Sequence, residues 1–296
     1  MNYEITVVIP VYNQLSRLKL TIQGFLDNEK FESIQIIVVD DGSTEDISDY
    51  IYSLGKHNIR CIVNTENKGR AFARNIGAKE ASSDKLVFCD ADRIPGSNFI
   101  EEHLKKIQRG VVTVGVLKEV YFTEIEKNKD KIFEIVKSDG RFSRETQYSK
   151  IINVLFDENQ ISNSPISWFC TMSANLGITK FDFSKVGGFD ENFTDWGFEH
   201  FELGYRLIQN GVTFNRILGA KNYHLAHKRE KNFYITAIEN SYCYFYDKHP
   251  YYDVSLLDKF HKGIISLEKY SDLVEGSNRL QSKYKDNQHF IKIFNL

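Results

Sequence analysis

The carboxylates of Asp90 and Asp92, in the run Leu86-Val87-Phe88-Cys89-Asp90-Ala91-Asp92, are the residues best suited to chemistry. Four apolar residues read as the end of a buried strand, and positions i and i+2 of a strand point the same way. Two carboxylates that close repel each other unless a proton or a cation sits between them. Hard oxygen donors suit Mg²⁺ or Mn²⁺, and such an ion can hold phosphates. An isolated Asp-x-Asp is more often a solvated turn, so its weight comes from its company.

Three further constellations supply that company. Val38-Val39-Asp40-Asp41-Gly42-Ser43 sets two carboxylates after an apolar run. A carboxylate at a strand end can accept a hydrogen bond from a nucleobase or a ribose hydroxyl, and Gly42 allows a sharp turn. Asn67-Lys68-Gly69-Arg70-Ala71-Phe72-Ala73-Arg74-Asn75 puts Arg70 and Arg74 at the opening of a helix, where the dipole also favours a diphosphate. In Asp195-Trp196-Gly197-Phe198-Glu199-His200-Phe201-Glu202, either Glu199 or His200 can serve as a general base. Asp195 can cap the helix, and Glu202 with Arg206 is an ordinary helix pair. Downstream, Tyr223-His224-Leu225-Ala226-His227-Lys228-Arg229-Glu230-Lys231-Asn232 offers a nitrogen ligand for the ion at Asp92 and basic residues for phosphate.

The elements that must position these groups follow an α/β pattern. Apolar runs at Ile5 to Val11, Ile34 to Val39, Ile59 to Val63 and up to Asp90 read as strands. Between them, Leu15 to Leu26, Asp46 to Leu54 and Arg70 to Ala81 read as helices. This alternation predicts a mostly parallel sheet flanked by helices, with its ligand crevice at the carboxyl ends of the strands. A helix over Phe99 to Gln108 and a strand over Val111 to Leu117 follow. Residues from Lys118 to about Gln160 turn polar and charged, which predicts a solvated, helical insertion. Trp196 to Gln209 reads as a helix and Thr213 to Leu218 as a strand. The expected division is a catalytic domain over 1–232 and a C-terminal helical extension over 233–296.

Composition narrows the class. A formal net charge of −2 argues against nucleic acid as a partner. The four cysteines include no CxxC pair, and three lie in apolar runs, as reduced buried thiols do. No run of 18 apolar residues occurs, and the N-terminus lacks a signal-peptide pattern. A cytoplasmic location is expected, with peripheral contact at the inner membrane surface left open. Of the 22 Phe and 16 Tyr, many cluster after residue 165, either as a binding surface or as core.

As an ordered set these pieces resemble the family-2 inverting glycosyltransferases of the GT-A fold, from about Ile5 to Asn232. Val7-Val8-Ile9-Pro10-Val11-Tyr12-Asn13 is similar to the family's first strand and nucleotide loop, and Val39 to Ser43 to its base- and ribose-binding turn. Asn67 to Asn75 is similar to its Asn-x-Gly-x-x-x-Ala-Arg-Asn segment, and Asp90-Ala91-Asp92 to its metal motif. Gly187-Gly188-Phe189-Asp190-Glu191 and Trp196-Gly197-Phe198-Glu199 resemble the acceptor block of the branch shared with galactosyl- and N-acetylgalactosaminyltransferases. That block ends in Glu-Asp in the branch and in Glu199-His200 here.

The resemblance implies a metal-dependent inverting hexosyl- or N-acetylhexosaminyltransferase that uses a UDP-sugar and Mn²⁺ or Mg²⁺. The acceptor would be a hydroxyl or thiol on a glycan, wall polymer or peptide. Pro10, Tyr12, Asp40, Asp41, Arg70, Arg74, Asp90 and Trp196 would bind the nucleotide sugar. Asp92 and His227 would hold the metal with Asp90, and His224 rivals His227. Glu199 and His200 would face the acceptor, with Glu199 slightly ahead as the base. A non-catalytic nucleotide-sugar or glycan-binding module is the alternative. A nucleotidyltransferase would want an early Gly-rich basic loop, and Pro10-Val11-Tyr12-Asn13 is not one.

Overall fold

A computed structural model describes residues 3–194, 196–227 and 231–275 of the 296. Asp195, the run from Lys228 to Glu230 and everything after residue 275 lie outside the described residues, so expectations placed there are not addressed. The strands are β1 (Ile5–Val11), β2 (Ile34–Asp40), β3 (Ile59–Val63), β4 (Lys85–Cys89), β5 (Arg93–Pro95), β6 (Val111–Val120), β7 (Arg144–Glu145), β8 (Ile161–Ser162), β9 (Asn175–Thr179) and β10 (Thr213–Leu225). The helices of the first half are α1 (Leu15–Leu26), α2 (Ile47–Ser53), α3 (Arg70–Lys79) and α4 (Phe99–Lys106). Then come α5 (Lys129–Lys137), α6 (Gln147–Ile152), α7 (Lys180–Lys185) and α8 (Glu199–Gln209). The C-terminal helices are α9 (Lys231–Lys248), α10 (Tyr252–Ser255), α11 (Leu257–His261) and α12 (Leu267–Glu275).

All strands join one sheet in the order β3-β2-β1-β4-β9-β6-β10-β5, with β7 on β6 and β8 on β10. Pairing is parallel across β3-β2-β1-β4, as the strand–helix alternation requires. Beyond β4 the sheet is mixed: β9 runs antiparallel between β4 and β6, and β10 runs parallel to β6 but antiparallel to β5. Both faces of β1 and β2 are covered, so their runs are mostly apolar, and the buried Thr6 and Gln35 hydrogen-bond each other at 2.8 Å. Helix α3 lies directly on β1 because its face is small: a Cβ on Gly77 would meet Val8 Cγ1 at 2.3 Å. That approach sets the position of Arg74 one turn earlier.

Two expectations change. Strand β10 does not stop at Leu218 but resumes after a bulge between Ile217 and Lys221, which carries His224 on a strand rather than in a loop. The 118–160 segment carries helices and exposed positions, but it is not solvated throughout. Its Ile132, Phe133 and Val136 pack with Leu20 and Tyr223, and Ile151, Ile152, Val154 and Leu155 enter the main core.

Many of the aromatic residues described after position 165 are core, though Phe181, Tyr246, Tyr251 and Tyr252 are exposed. Trp168 and Phe169 are fully buried and stack at 4.1 Å, and Phe169 meets Phe260 edge-on at 5.2 Å. Phe245, Leu257, Phe260 and Tyr270 of the C-terminal helices belong to the same cluster as Phe201 on α8. The expected Glu202–Arg206 pair is present at 2.6 Å, and it is gripped further by Lys248 at 2.8 Å and His249 at 2.9 Å. Burial pushes the Glu202 carboxyl up, but His249, Arg206 and Lys248 outweigh it and pull it down to about 2. The C-terminal helices therefore brace the helix that begins with Glu199 and His200.

Candidate active site

The carboxyl ends of β1, β2 and β4 gather the first group of candidates. Pro10 is the sixth residue of β1, paired with Val39, and Tyr12 just beyond the strand is 47% exposed. Asp40 closes β2, and its Oδ1 accepts the Ser43 N–H at 2.9 Å. Gly42 turns at φ +78°, where a Cβ would strike the Glu66 backbone at 2.6 Å, so only glycine fits the turn. Asp41 is buried and committed to its own fold. Its Oδ1 accepts from Asn64 Nδ2 at 2.8 Å and the Lys68 N–H at 3.1 Å, and its Oδ2 accepts the Gly69 N–H at 2.8 Å. Asp41 thereby holds the loop that leads into α3 and presents Arg70 at its first position.

The two aspartates of Asp90-Ala91-Asp92 do not converge. Strand β4 ends at Cys89, and a turn follows in which the Arg93 N–H donates to the Asp90 carbonyl at 3.2 Å. Strand spacing no longer governs there, so the side chains part. Asp90 turns to Arg74 (Nη2 to Oδ1, 2.8 Å). Asp92 turns the other way, to the histidines of β10 and the segment after it.

Arg74 is not at a ligand surface. Its side chain is 1% exposed, with Nη1 3.2 Å from Glu199 Oε1 and its guanidinium over the Phe189 ring at 5.3 Å. It bridges Asp90 on one side and the start of α8 on the other, 125 residues away in sequence. Removing it leaves two carboxylates short of their partner, and breaking a buried pair from one side costs about 3–5 kcal/mol. Arg74→Ala should lower unfolding stability by that order in urea denaturation. Arg74→Lys should recover little, because one ammonium cannot reproduce the fork.

Helix α8 opens from a strained turn. Gly197 lies at φ +109°, and Phe198, a non-glycine, lies in the left-handed region at φ +64°. Trp196, partly buried, immediately precedes them, and its carbonyl accepts from Ser241 Oγ at 3.3 Å. This turn sets Glu199 inward, its side chain 3% exposed, and leaves His200 23% exposed. His200 Nδ1 stands 3.6 Å from Glu199 Oε2. Burial pushes the Glu199 carboxyl up, but His200, Arg70 and Arg74 more than offset it and hold it far below the usual carboxylate range.

The second group forms a compact donor set. Nε2 of His224 lies 3.3 Å and Nε2 of His227 3.5 Å from the same atom, Asp92 Oδ2. One ligand atom from each of the three lies within 4.8 Å of the others, and among the described residues this is the group of that kind that could hold a metal ion. Asp90 is not part of it. Both histidines that the sequence set as rivals reach the site. Burial pushes the Asp92 carboxyl up, yet the two histidines and Arg93 outweigh it and hold it well below the ordinary value. An ionised carboxylate with two imidazoles suits a divalent transition ion such as Mn²⁺ and leaves coordination positions open for ligand oxygens. Glu119 Oε1, 3.9 Å from His224 Nδ1, stands behind that imidazole, the usual place of a group that fixes a ligand's orientation.

A sheet of this order, flanked by helices, is shared with solved GT-A glycosyltransferases. The comparisons agree. The family "Glycosyl transferase family 2" matches residues 6–173, and "N-terminal domain of galactosyltransferase" matches 163–228. The chain belongs to glycosyl transferase family 2. It is 28% identical over 261 residues to the validoxylamine A glucosyltransferase of Streptomyces hygroscopicus subsp. jinggangensis (strain 5008), across 83% of this chain and 61% of that protein. The chain therefore spans about three fifths of that relative's length. Among solved structures it resembles GalNAc-T7 with UDP, GalNAc and Mn²⁺ at TM-score 0.57 and 18% identity, covering 96% of this chain and 55% of that one. It also resembles the mannosyltransferase PcManGT of Pyrobaculum calidifontis with GDP-Man and Mn²⁺ at TM-score 0.55 and 15% identity, covering 82% and 64%. Among the described residues no helix is long and apolar enough to cross a membrane.

Proposed function

We propose that this chain transfers a hexosyl or N-acetylhexosaminyl group, with inversion, from a UDP-sugar to a hydroxyl or thiol on a glycan, wall polymer or peptide. The observation that carries the reading is the convergence of Asp92, His224 and His227 beside the carboxyl ends of β1, β2 and β4. Solved relatives of the same fold hold UDP or GDP-Man together with Mn²⁺. Asp92, His224 and His227 would hold the ion here, and when bound it would offset the charge that develops on the departing diphosphate.

The chain's own residues do the rest. Tyr12 and Asp40 flank the nucleoside end, Arg70 stands at the opening of α3, and Trp196 leads the turn on the acceptor side. The acceptor oxygen attacks the anomeric carbon from the face opposite the diphosphate, and a base takes its proton. Its exposure supports His200 for that task, where the sequence put Glu199 slightly ahead. Glu199 is buried and its Oε1 is bound to Arg74, which leaves an acceptor little access to its carboxylate. His200 keeps exposed surface on the same turn.

The test is a panel of nucleotide sugars scored by diphosphate release, with and without Mn²⁺. Release from at least one UDP-sugar, dependent on the ion, is expected. Binding of UDP-sugars without release in the presence of any acceptor class would make the chain a binding module instead.

A further inference from the structure

Arg93 directly follows the acidic turn and belongs to none of the assignments above. It is 9% exposed, yet its Nε and Nη1 are buried and have no hydrogen-bond partner. The nearest carboxylate, Asp90 Oδ2, lies 4.0 Å from Nε, beyond hydrogen-bond reach, and the other Asp90 oxygen is taken by Arg74. A buried guanidinium with idle donors is costly to maintain, and the cost is recovered only when an acceptor arrives.

Register shows where that acceptor would come from. Arg93 is the cross-strand partner of His224 in the β5–β10 pair, and Glu119 is the partner of His224 in the β6–β10 pair. Directly paired residues share a face of the sheet. Arg93, His224 and Glu119 therefore form one row, with Arg93 beside the donor set of Asp92, His224 and His227. A fixed cation next to a metal site opposes metal binding unless the ligand that both contact is an anion. A planar guanidinium with free N–H groups matches two phosphate oxygens better than a single point charge does.

We propose that Arg93 binds the diphosphate of the nucleotide donor, next to the ion held by Asp92, His224 and His227. This rests on the UDP-sugar reading given above.

The test is equilibrium binding of UDP and of uridine to the full chain in Mn²⁺, for wild type, Arg93→Met and Arg93→Lys, with circular dichroism to confirm folding. Arg93→Met should weaken UDP binding by about 10- to 100-fold while changing uridine binding little. Arg93→Lys should recover part of the loss. UDP affinity within about twofold of wild type in a folded Arg93→Met would overturn the proposal. So would an equal loss for uridine, or a gain in Mn²⁺ affinity with UDP binding unchanged, which would make Arg93 only a counter-charge to the carboxylates. If wild type does not bind UDP, the donor reading fails. Mn²⁺–pyrophosphate binding by wild type and Arg93→Met then decides separately whether Arg93 is a diphosphate residue.

Discussion

Asp92→Ala is expected to cut Mn²⁺-supported turnover by about 10²- to 10⁴-fold while the chain stays folded. The size follows from the several kcal/mol that a bound ion contributes against developing charge, at about 1.4 kcal/mol per factor of ten. Among the described residues, Asp92 is the one whose oxygen faces both imidazoles, so its loss removes the charge and the centre of the donor set together. The histidines refine the prediction. Nitrogen donors suit Mn²⁺ better than Mg²⁺, so wild type should work faster with Mn²⁺. Since both Nε2 atoms approach the same carboxylate oxygen, His224→Ala and His227→Ala should each weaken that preference. Turnover with the two ions, and in EDTA, decides it. Full activity in EDTA would remove the metal from the account.

His200→Ala should lose about 10²- to 10⁴-fold in turnover at saturating acceptor, the usual cost of losing a general base. Glu199→Gln should behave differently. The amide keeps the shape but gives up the charge that faces Arg74, so its main effect is on stability, of the order of the 3–5 kcal/mol that a broken buried pair costs. Its turnover, measured at a temperature where it remains folded, should stay within about tenfold of wild type, less than a lost base would cost. Measuring both turnover and urea unfolding for each variant separates the two roles. A folded, inert Glu199→Gln beside a near-normal His200→Ala would restore the carboxylate as the base.

Much of this arrangement can be read from local sequence because its causes are local. The apolar runs that become β1, β2 and β4 are buried on both faces, and the small residues of α3 announce a helix pressed against the sheet. The histidines of the donor set lie in the segment that the family resemblance marks. The resemblance named candidate pieces, but it could not show which of them touch. Asp90 and Asp92 separate because β4 stops one residue early, and no periodicity reports where a strand ends. Arg74 meets Glu199 across 125 residues, a contact that exists only after α3 and α8 have packed. Polar composition hid the 118–160 segment, since Ile132, Phe133 and Val136 are a narrow apolar stripe among charged neighbours. A bulge hid the second half of β10 and, with it, the cross-strand pairing of His224 with Arg93. The signal for Arg93 was a charged residue in a three-residue apolar strand, Arg93-Ile94-Pro95, where a buried cation needs a reason.

The central claim is that Asp92, His224 and His227 hold the ion that brings in the nucleotide. Electron paramagnetic resonance of Mn²⁺ titrated into the protein, with and without UDP, measures it directly. Measured against protein-free samples with and without the same UDP, wild type should deplete the free-ion signal further in both, more strongly with UDP present, and a variant carrying Asp92→Ala, His224→Ala and His227→Ala together should match the protein-free samples. A folded triple variant that takes up Mn²⁺ and UDP as wild type does would contradict the account.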